Sequence, residues 1–309
     1  MFPINRLSPQ FRNDMKRILL FLLTNLAVMA VLSVTSTLIF NLLGTSMSEV
    51  FGEWSHLVVF AAVFGIGGAL ISLLMSKTIA KFSTGARTID GTEGEAERWL
   101  VATVEDLSRR AGIATPEVAI YEGSANAFAT GAFKNSALVA VSTDIMRQMS
   151  KEELRAVLGH EISHVANGDM VTLCLIQGVL NVFVILISRI VAQIAASAGN
   201  NDSRRRSTNP FIYMAVVFAM EMLLGMFAMI IVCAFSRKRE YAADAGSARL
   251  LGTPSSMIAA LRRLGNLQPG TLPDSLKAMG IAEGRKTSLW STHPSLESRI
   301  EALNRYDWN

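Results

Sequence analysis

Residues 158–180 read LGHEISHVANGDMVTLCLIQGVL, and this stretch joins two different patterns. It begins with His160 and His164, which lie on either side of Glu161, and it ends in an uncharged apolar run that continues to Ser188. The first pattern is typical of a metal site and the second of a membrane segment. The sequence therefore places a candidate metal site directly beside a candidate membrane segment.

The two histidines are predicted to share one face of a helix. Ser150, followed three residues later by Glu153, forms a capping box, which predicts a helix beginning near Lys151. Side chains four residues apart on a helix are neighbours, so the imidazoles of His160 and His164 can bind one metal ion. We expect this helix and the apolar run after it to follow one continuous helical direction.

The spacing H-E-x-x-H is the signature of zinc peptidases. A catalytic zinc has three protein ligands and an open position for water, whose pKa it lowers while it polarises the scissile carbonyl. Glu161 would accept the proton of that water and pass it to the leaving amine. The alternative is an ordinary pair of surface histidines, although His160 and His164 are two of only four histidines in the chain. The sequence thus predicts one zinc ion per chain.

Composition indicates a membrane protein. Half of the residues are hydrophobic and 17% are charged, whereas soluble proteins have about a quarter charged residues. Uncharged windows cover residues 18–48, 54–76 and 170–188, and a fourth window at 207–236 contains only Glu221. Each window is long enough to cross a bilayer, and the alternative of a buried core helix would usually show a polar face. Glu221 is part of a functional site, or it is protonated and hydrogen-bonded within a helix pair, or its helix does not cross lipid at all.

Charge predicts the orientation in the bilayer. Lysine and arginine precede the first span and follow the second, which indicates cytoplasmic flanks, and the net charge of +4 lies beside the spans rather than in a nucleic-acid patch. The predicted boundaries are a cytoplasmic N-terminus (1–17), a first span (18–43), a periplasmic loop (44–55), a second span (56–76), the first part of a catalytic domain (77–169), a third apolar segment (170–197), a loop (198–209), a fourth apolar segment (210–236) and the second part of the catalytic domain (237–309).

The third and fourth apolar segments either cross the bilayer or insert only in part. If both cross, the basic stretch SRRRS at 203–207 lies on the outer side, against the usual positive-inside bias. Between the second and third segments, PEVAIYEG and SALVAVST are β-type runs, and SANAFATG is a loop or an edge strand. The fold class is therefore a mainly α membrane protein with two N-terminal transmembrane helices, an α+β catalytic domain with a small sheet, and a helical hairpin in or at the membrane.

Four motifs in order resemble those of the HtpX family of membrane-embedded zinc metalloproteases, relatives of the type 1 CaaX prenyl protease. They are ANAFATG at 125–131, GHEISHVANGD at 159–169, REYAADAGSARL at 239–250 and THPSLESRI at 292–300. The resemblance covers nearly the whole chain and implies a zincin-like catalytic domain. It also implies a bacterial inner-membrane endopeptidase that degrades misfolded or damaged membrane proteins at the cytoplasmic face, in stress-linked quality control.

The resemblance assigns the metal ligand that spacing alone leaves open. Glu240 matches the third zinc ligand of the family, although it could instead be a surface carboxylate paired with Arg237 or Lys238. Asp244 lies one helical turn further on and would accept a hydrogen bond from a ligand histidine, fixing its tautomer. The alternative for Asp244 is a solvated carboxylate.

The resemblance also suggests residues that contact the substrate. Asn126 would bind the backbone of a substrate that pairs with an edge strand, unless it is an ordinary turn asparagine. His293 and Arg299 would face the zinc and stabilise the oxyanion that forms during hydrolysis. Alternatively, His293 only caps the helix ahead of Pro294. The retained Glu161 favours an enzyme over a membrane scaffold with a structural zinc, and a narrow processing protease is the alternative among enzymes.

Overall fold

The computed structural model describes residues 55–197, 209–266 and 288–305. The predicted N-terminus and first span at 1–43, and almost all of the loops at 44–55 and 198–209, lie outside these residues. The described helices and strands are α1 (Ser55–Ala62), a π-helical turn (Val63–Gly67), α2 (Gly68–Thr84), β1 (Arg87–Ile89), α3 (Glu95–Ala111), β2 (Glu117–Tyr121), β3 (Ala127–Phe133), β4 (Ser136–Ser142), α4 (Thr143–Gln148), α5 (Lys151–Asn167), α6 (Asp169–Ser197), α7 (Pro210–Leu251), α8 (Ser255–Asn266) and α9 (Leu296–Arg305).

Three helices in the described part of the chain are long and apolar enough to cross a membrane. They run from His56 to Thr84, from Asp169 to Ala196 and from Pro210 to Leu251, each with a mean hydropathy of 2.5 in its most apolar stretch. Large apolar side chains remain exposed on them, including those of Phe183, Phe218 and Phe227. A continuous exposed apolar surface of this kind suits lipid rather than water. These helices correspond to the second, third and fourth apolar windows of the sequence.

The chain divides into two compact units, and the first contains residues up to 71 together with 178–225. Glycines let its helices approach closely, as small residues do in membrane proteins. A Cβ atom on Gly65 would lie 2.7 Å from the backbone nitrogen of Val182, and one on Gly178 would lie 3.2 Å from the Cα of Ile66.

Glu221 has an ionic partner in this first unit. Arg189 on α6 donates a hydrogen bond of 2.7 Å to the Glu221 carboxylate on α7. The guanidinium also lies 4.8 Å from the ring centre of Phe60 on α1. Glu221 is therefore hydrogen-bonded within a helix pair, to the guanidinium of Arg189.

The second unit contains residues 72–177 and 226–309 and holds a four-stranded sheet in the order β1-β2-β4-β3. β2 and β4 are parallel, while β1 and β3 pair antiparallel with their neighbours. The segment SANAFATG thus contains an edge strand, β3. Helices α3, α5 and α8 contribute to the apolar core of this unit, whose fully buried members include Leu100, Val104, Leu107, Val139, Val157, Leu158, Ile162, Met257 and Leu261.

Helix α5 begins where the sequence predicts. The Ser150 hydroxyl accepts a hydrogen bond of 3.2 Å from the Glu153 amide, and the Glu153 carboxylate accepts one of 2.8 Å from the Ser150 amide. The expectation of one continuous helical direction is wrong, because Gly168 has φ +70° and ends α5 before α6 begins at Asp169. Only glycine adopts this left-handed conformation without a steric cost, so Gly168 breaks the helix between the histidine pair and the apolar run.

Candidate metal centre

Side chains from α5 and α7 converge on one point. The Nε2 atoms of His160 and His164 lie 3.0 Å apart, since the two residues are one helical turn apart on α5. Glu240 on α7 places one carboxylate oxygen 3.4 Å from Nε2 of His160 and the other 3.3 Å from Nε2 of His164. All three side chains are buried, which excludes the interpretation of Glu240 as a surface carboxylate.

The distances within this group suit a zinc ion. Atoms bound about 2.1 Å from a tetrahedral zinc lie about 3.4 Å from one another, close to the separations between the three side chains. Two imidazoles and one carboxylate are also a donor set that zinc accepts in catalytic sites. Among the described residues, these three side chains are the ones whose ligand atoms lie close enough together to hold a metal ion. His160, His164 and Glu240 therefore form a candidate metal centre with three protein ligands.

Asp244 lies behind His160. Its Oδ1 is 2.9 Å from Nδ1 of His160, the ring nitrogen on the side away from the candidate metal position. Arg299 on α9 holds Asp244 in turn, through hydrogen bonds of 2.8 Å and 2.7 Å to its two oxygens. Asp244 and Arg299 are both buried, so Asp244 is not a solvated carboxylate.

Asp169 occupies the corresponding place behind His164, and the sequence analysis did not identify it. Its Oδ2 lies 2.6 Å from Nδ1 of His164, and both side chains are buried. Arg239 donates a hydrogen bond of 2.6 Å to the backbone carbonyl of Asp169. The sequence signal for this contact is the pair Gly168–Asp169. A glycine in the left-handed conformation turns the chain back, so the residue after it lies near the last turn of the preceding helix.

Glu161 lies between the metal ligands and the edge strand. Burial disfavours the ionised carboxylate and raises its pKa to about 7, although the nearby His160 and His164 and the Ala129 backbone amide favour ionisation. In the described part of the chain, Oε2 of Glu161 has no hydrogen-bond partner. A buried carboxylate oxygen without a partner is costly, so it is suited to accept a proton from a group bound in the site.

Charges around the centre fix the ionisation of the ligands. Burial disfavours the charged imidazole of His164, but hydrogen bonds to Asp169 and Glu240 outweigh burial and raise its pKa to about 10. Burial would also raise the pKa of Glu240, but the charges of His293 and Arg299 hold it well below its usual range. Glu240 thus stays a carboxylate, and a bound cation would take the place of the imidazole protons.

His293 and Arg299 approach the centre from the C-terminal segment. Nε2 of His293 lies 3.6 Å from one oxygen of Glu240, and Nη1 of Arg299 lies 3.3 Å from the other. The Nδ1 atom of His293 lies 3.0 Å from the hydroxyl of Thr292. Both side chains therefore lie beside Glu240, at the edge of the candidate metal centre.

Asn126 immediately precedes the edge strand β3. Its backbone amide donates to the Ser142 hydroxyl at 2.9 Å, and its carbonyl accepts from the Ser142 amide at 2.9 Å. Its side-chain oxygen accepts a hydrogen bond of 2.9 Å from the Ala127 amide. Asn126 is buried, and it is tied to the end of β4 rather than placed in an exposed turn.

Comparison with known proteins agrees with this geometry. Residues 95–307 match the family model of peptidase family M48, whose metallopeptidases depend on zinc. The HtpX protease homologues of Verminephrobacter eiseniae and Chlorobium limicola are 53% and 52% identical to this chain; each comparison covers 94% of this chain, and 98% and 99% of those proteins respectively.

A solved structure has a similar fold. The crystal structure of S. mikatae Ste24p gives a TM-score of 0.58 at 18% identity, covering 91% of this chain and 66% of that one. The likeness concerns a mostly helical fold with a small mixed sheet. Together with the three long apolar helices and the buried H-E-x-x-H group, the comparisons confirm the resemblance drawn from the motifs. The chain is an integral membrane metallopeptidase and belongs to peptidase family M48, alongside the HtpX proteases.

Proposed function

We propose that the protein is a zinc-dependent endopeptidase of the bacterial inner membrane. It hydrolyses peptide bonds of misfolded or damaged membrane proteins at the cytoplasmic face, as part of membrane protein quality control. The observation that carries the proposal is the convergence of His160, His164 and Glu240 beside a buried Glu161 whose Oε2 has no hydrogen-bond partner among the described residues.

His160, His164 and Glu240 would hold the zinc, which when bound polarises the scissile carbonyl and lowers the pKa of a coordinated water. Glu161 accepts a proton from the attacking water through its unpartnered Oε2, and it later delivers that proton to the leaving amine. His293 donates a hydrogen bond to the developing oxyanion. Arg299 supports the same chemistry, because it holds Asp244 and therefore the imidazole of His160 in place.

The edge strand offers a place for the substrate. β3 is paired with β4 on one side, and within the described residues its other edge has no neighbouring strand. An extended peptide can add to such an edge through main-chain hydrogen bonds. The backbone amide of Ala129 on β3 lies near Glu161, so a peptide on this edge would lie beside the proton acceptor. Asn126 holds the start of the strand and would contact the peptide backbone.

The position of Glu240 supports substrates at the membrane surface. α7 is continuous from Pro210 to Leu251, and Glu240 follows the uncharged apolar stretch that ends at Ser236. Four residues of helix correspond to about 6 Å. The metal ligand thus lies close to where the helix would leave the bilayer, and misfolded membrane segments are the substrates that reach such a site.

The carboxylate of Glu161 provides the decisive test. The full-length protein, purified in detergent with added zinc, should cleave an unfolded membrane-tethered substrate, and Glu161→Gln should reduce the rate at least about 100-fold. The matched control is Glu152→Gln, which changes an exposed glutamate in the first turn of the same helix and should leave the rate unchanged. Equal activity of Glu161→Gln and wild type would overturn the proposal.

The orientation has its own test. α6 has 29 residues, and such a helix extends about 44 Å, more than the roughly 30 Å of hydrocarbon in a bilayer. We therefore propose that α6 and the apolar part of α7 cross the membrane, with the loop at 198–209 in the periplasm. A Ser203→Cys variant without its two native cysteines should react with a membrane-impermeant maleimide in intact spheroplasts. Reaction only after lysis would refute the crossing.

A further inference from the structure

A cavity of about 320 Å³ lies in the second unit, directly beside His164. One wall is formed by the end of β3 and the hairpin that follows it, a second by the end of α5, and a third by Met170, Val171 and Thr172 at the start of α6. The lining is mainly apolar, and Gly131, Ala132 and Ala137 contribute almost no side-chain volume to it. The cavity therefore has space for an apolar group supplied by another molecule.

The cavity lies within reach of the reacting bond. Helix α5 contacts β3, with the Ala129 backbone amide near the Glu161 carboxylate, and the lining residues Thr130 to Ala132 are the next three along the strand. At about 3.3 Å per residue, they lie roughly 3–10 Å beyond that contact. A peptide extended along the same edge has the same rise, so its residue one or two positions from the scissile bond would lie opposite the cavity.

The walls select against charge. The residues that line the cavity include no acidic side chain, and besides the candidate metal ligand His164 the one ionisable side chain among them is Lys134, which is exposed. A basic side chain entering the cavity would lose its hydration without gaining an ionic partner from the lining, and an acidic one would have to leave water for mainly apolar walls. A large uncharged apolar side chain, such as that of leucine, phenylalanine or methionine, gains hydrophobic free energy when it leaves water for these walls.

We propose that this cavity is a specificity pocket that holds one large apolar side chain of the substrate, within two residues of the bond that is cleaved. The proposal rests on the proposed endopeptidase function and adds the side-chain class that decides where the enzyme cuts. Segments that normally lie in a bilayer are rich in such side chains, whereas the exposed loops of folded proteins are not.

The test uses the full-length protein in detergent with zinc, and a set of internally quenched peptides of one parent sequence. Four positions are varied one at a time, the two before the cleaved bond and the two after it. Each carries leucine, phenylalanine, alanine or aspartate in turn. At one of these positions, leucine and phenylalanine should raise kcat/KM over alanine by about 10-fold or more, the usual effect of filling an apolar pocket.

Two variants identify the cavity as the cause. Thr172→Phe adds a ring at an exposed wall position, so it should fill the cavity and reduce the preference for leucine over alanine to near unity. Leu175→Phe, which lies one turn further along α6 and outside the lining, should keep the preference. Cleavage of all peptides at equal rates, or an unchanged preference in Thr172→Phe, would overturn the pocket and leave the proposed function standing. Failure of the wild-type protein to cleave any peptide would overturn both.

Discussion

Each ligand histidine donates from Nδ1 to a buried carboxylate, His160 to Asp244 and His164 to Asp169. The two carboxylates come from different helices, so the imidazoles are fixed from two directions. Such contacts orient a ligand ring and raise its basicity towards a metal. The resemblance to a known family suggested Asp244, whereas Asp169 became evident only when the turn at Gly168 was seen.

At the residue scale, Asp169→Asn should weaken zinc binding by about 10–100-fold, because a neutral amide is a poorer acceptor for the imidazole N–H of His164. Zinc affinity can be measured by competition with a chromophoric chelator, independently of proteolysis. Asp144→Asn, which changes a more exposed aspartate in the first turn of α4, serves as the control and should bind zinc as wild type does. Identical affinities in all three proteins would show that Asp169 does not position the ligand.

Glu117 gives a prediction on acid stability. Hydrogen bonds from Lys77 and Lys81 hold its pKa below the usual value, so folding favours the ionised form. This contribution to stability is present above the unfolded-state pKa of about 4.3 and is lost as the pH falls through the lower folded-state pKa. Glu117→Gln should therefore lower the unfolding midpoint near pH 7 and lose that difference from wild type in strong acid. Since Glu117 is partly exposed, the difference should also shrink in high salt.

A constant difference between the two proteins, from neutral to strongly acidic pH, would contradict this assignment. The unfolding midpoint of the second unit can be followed by near-UV circular dichroism in detergent. Glu122→Gln provides a comparison, because Glu122 follows the same strand and accepts a hydrogen bond from the Thr143 hydroxyl rather than from a lysine.

At the element scale, the break between α5 and α6 predicts different effects for two similar glycines. Gly168 and Gly112 both end a helix at positive φ, 70° and 68°. Alanine at either position should cost about 1–2 kcal/mol of stability, the price of a left-handed conformation for a residue with a Cβ atom. Only Gly168→Ala should also reduce zinc affinity, because it alters the turn that brings Asp169 to His164.

Thermal unfolding and chelator competition on the two variants separate these effects. If Gly112→Ala lost as much zinc affinity as Gly168→Ala, the cause of the lower affinity would be general destabilisation and not the turn at Gly168. Contact with neighbours is not the cause in either case, since a Cβ atom at Gly168 would meet only Lys134 Cε, at 3.7 Å, and one at Gly112 would meet nothing within 4 Å.

The pairing of α6 with α7 in the first unit depends on Arg189 and Glu221. Arg189→Leu leaves a carboxylate without its ionic partner in apolar surroundings, which is costly, whereas the double replacement of both residues by leucine removes the charge altogether. The single variant should therefore unfold at a lower temperature than the double variant in lipid nanodiscs. A double variant less stable than Arg189→Leu would contradict this prediction and would show that the ion pair contributes a net stabilisation.

Some elements follow from local sequence, and others require the folded chain. The capping box at Ser150 and Glu153 fixes the start of α5, and the four-residue spacing fixes the histidine pair, because both depend on contacts within one helix. The break at Gly168 was missed, since a lone glycine between two helical patterns does not reveal its φ. Glu240 lies on another helix, so spacing alone cannot connect it to the histidines, and in the sequence only the family motif predicts that connection.

At the scale of the whole molecule, the apolar helices should affect which substrates are cleaved. A substrate held in the same bilayer is confined near the enzyme, and confinement of this kind raises the effective concentration without any new contact. In proteoliposomes, an unfolded segment attached to a transmembrane anchor should be cleaved at least about 10-fold faster than the same segment free in solution. The comparison in detergent micelles, where both substrates diffuse independently, should reduce this ratio.

Equal rates for tethered and free segments in proteoliposomes would mean that membrane association locates the enzyme but does not select its substrates. A Glu161→Gln variant in the same vesicles gives the background rate for both substrates. A second control substrate has the same transmembrane anchor but carries a folded domain in place of the unfolded segment. This substrate should resist cleavage, because a folded chain cannot extend along β3.

The order of the metal ligands along the chain has a consequence for biosynthesis. His160 and His164 are made first, the hairpin of α6 and α7 follows, and Glu240 becomes available only after that hairpin has been synthesised. Arg299, which holds Asp244 through hydrogen bonds, comes later still along the chain. A nascent chain that ends before Glu240 therefore has no complete set of metal ligands. The order of the ligands along the chain thus delays assembly of the metal centre until the apolar part of α7 has been synthesised.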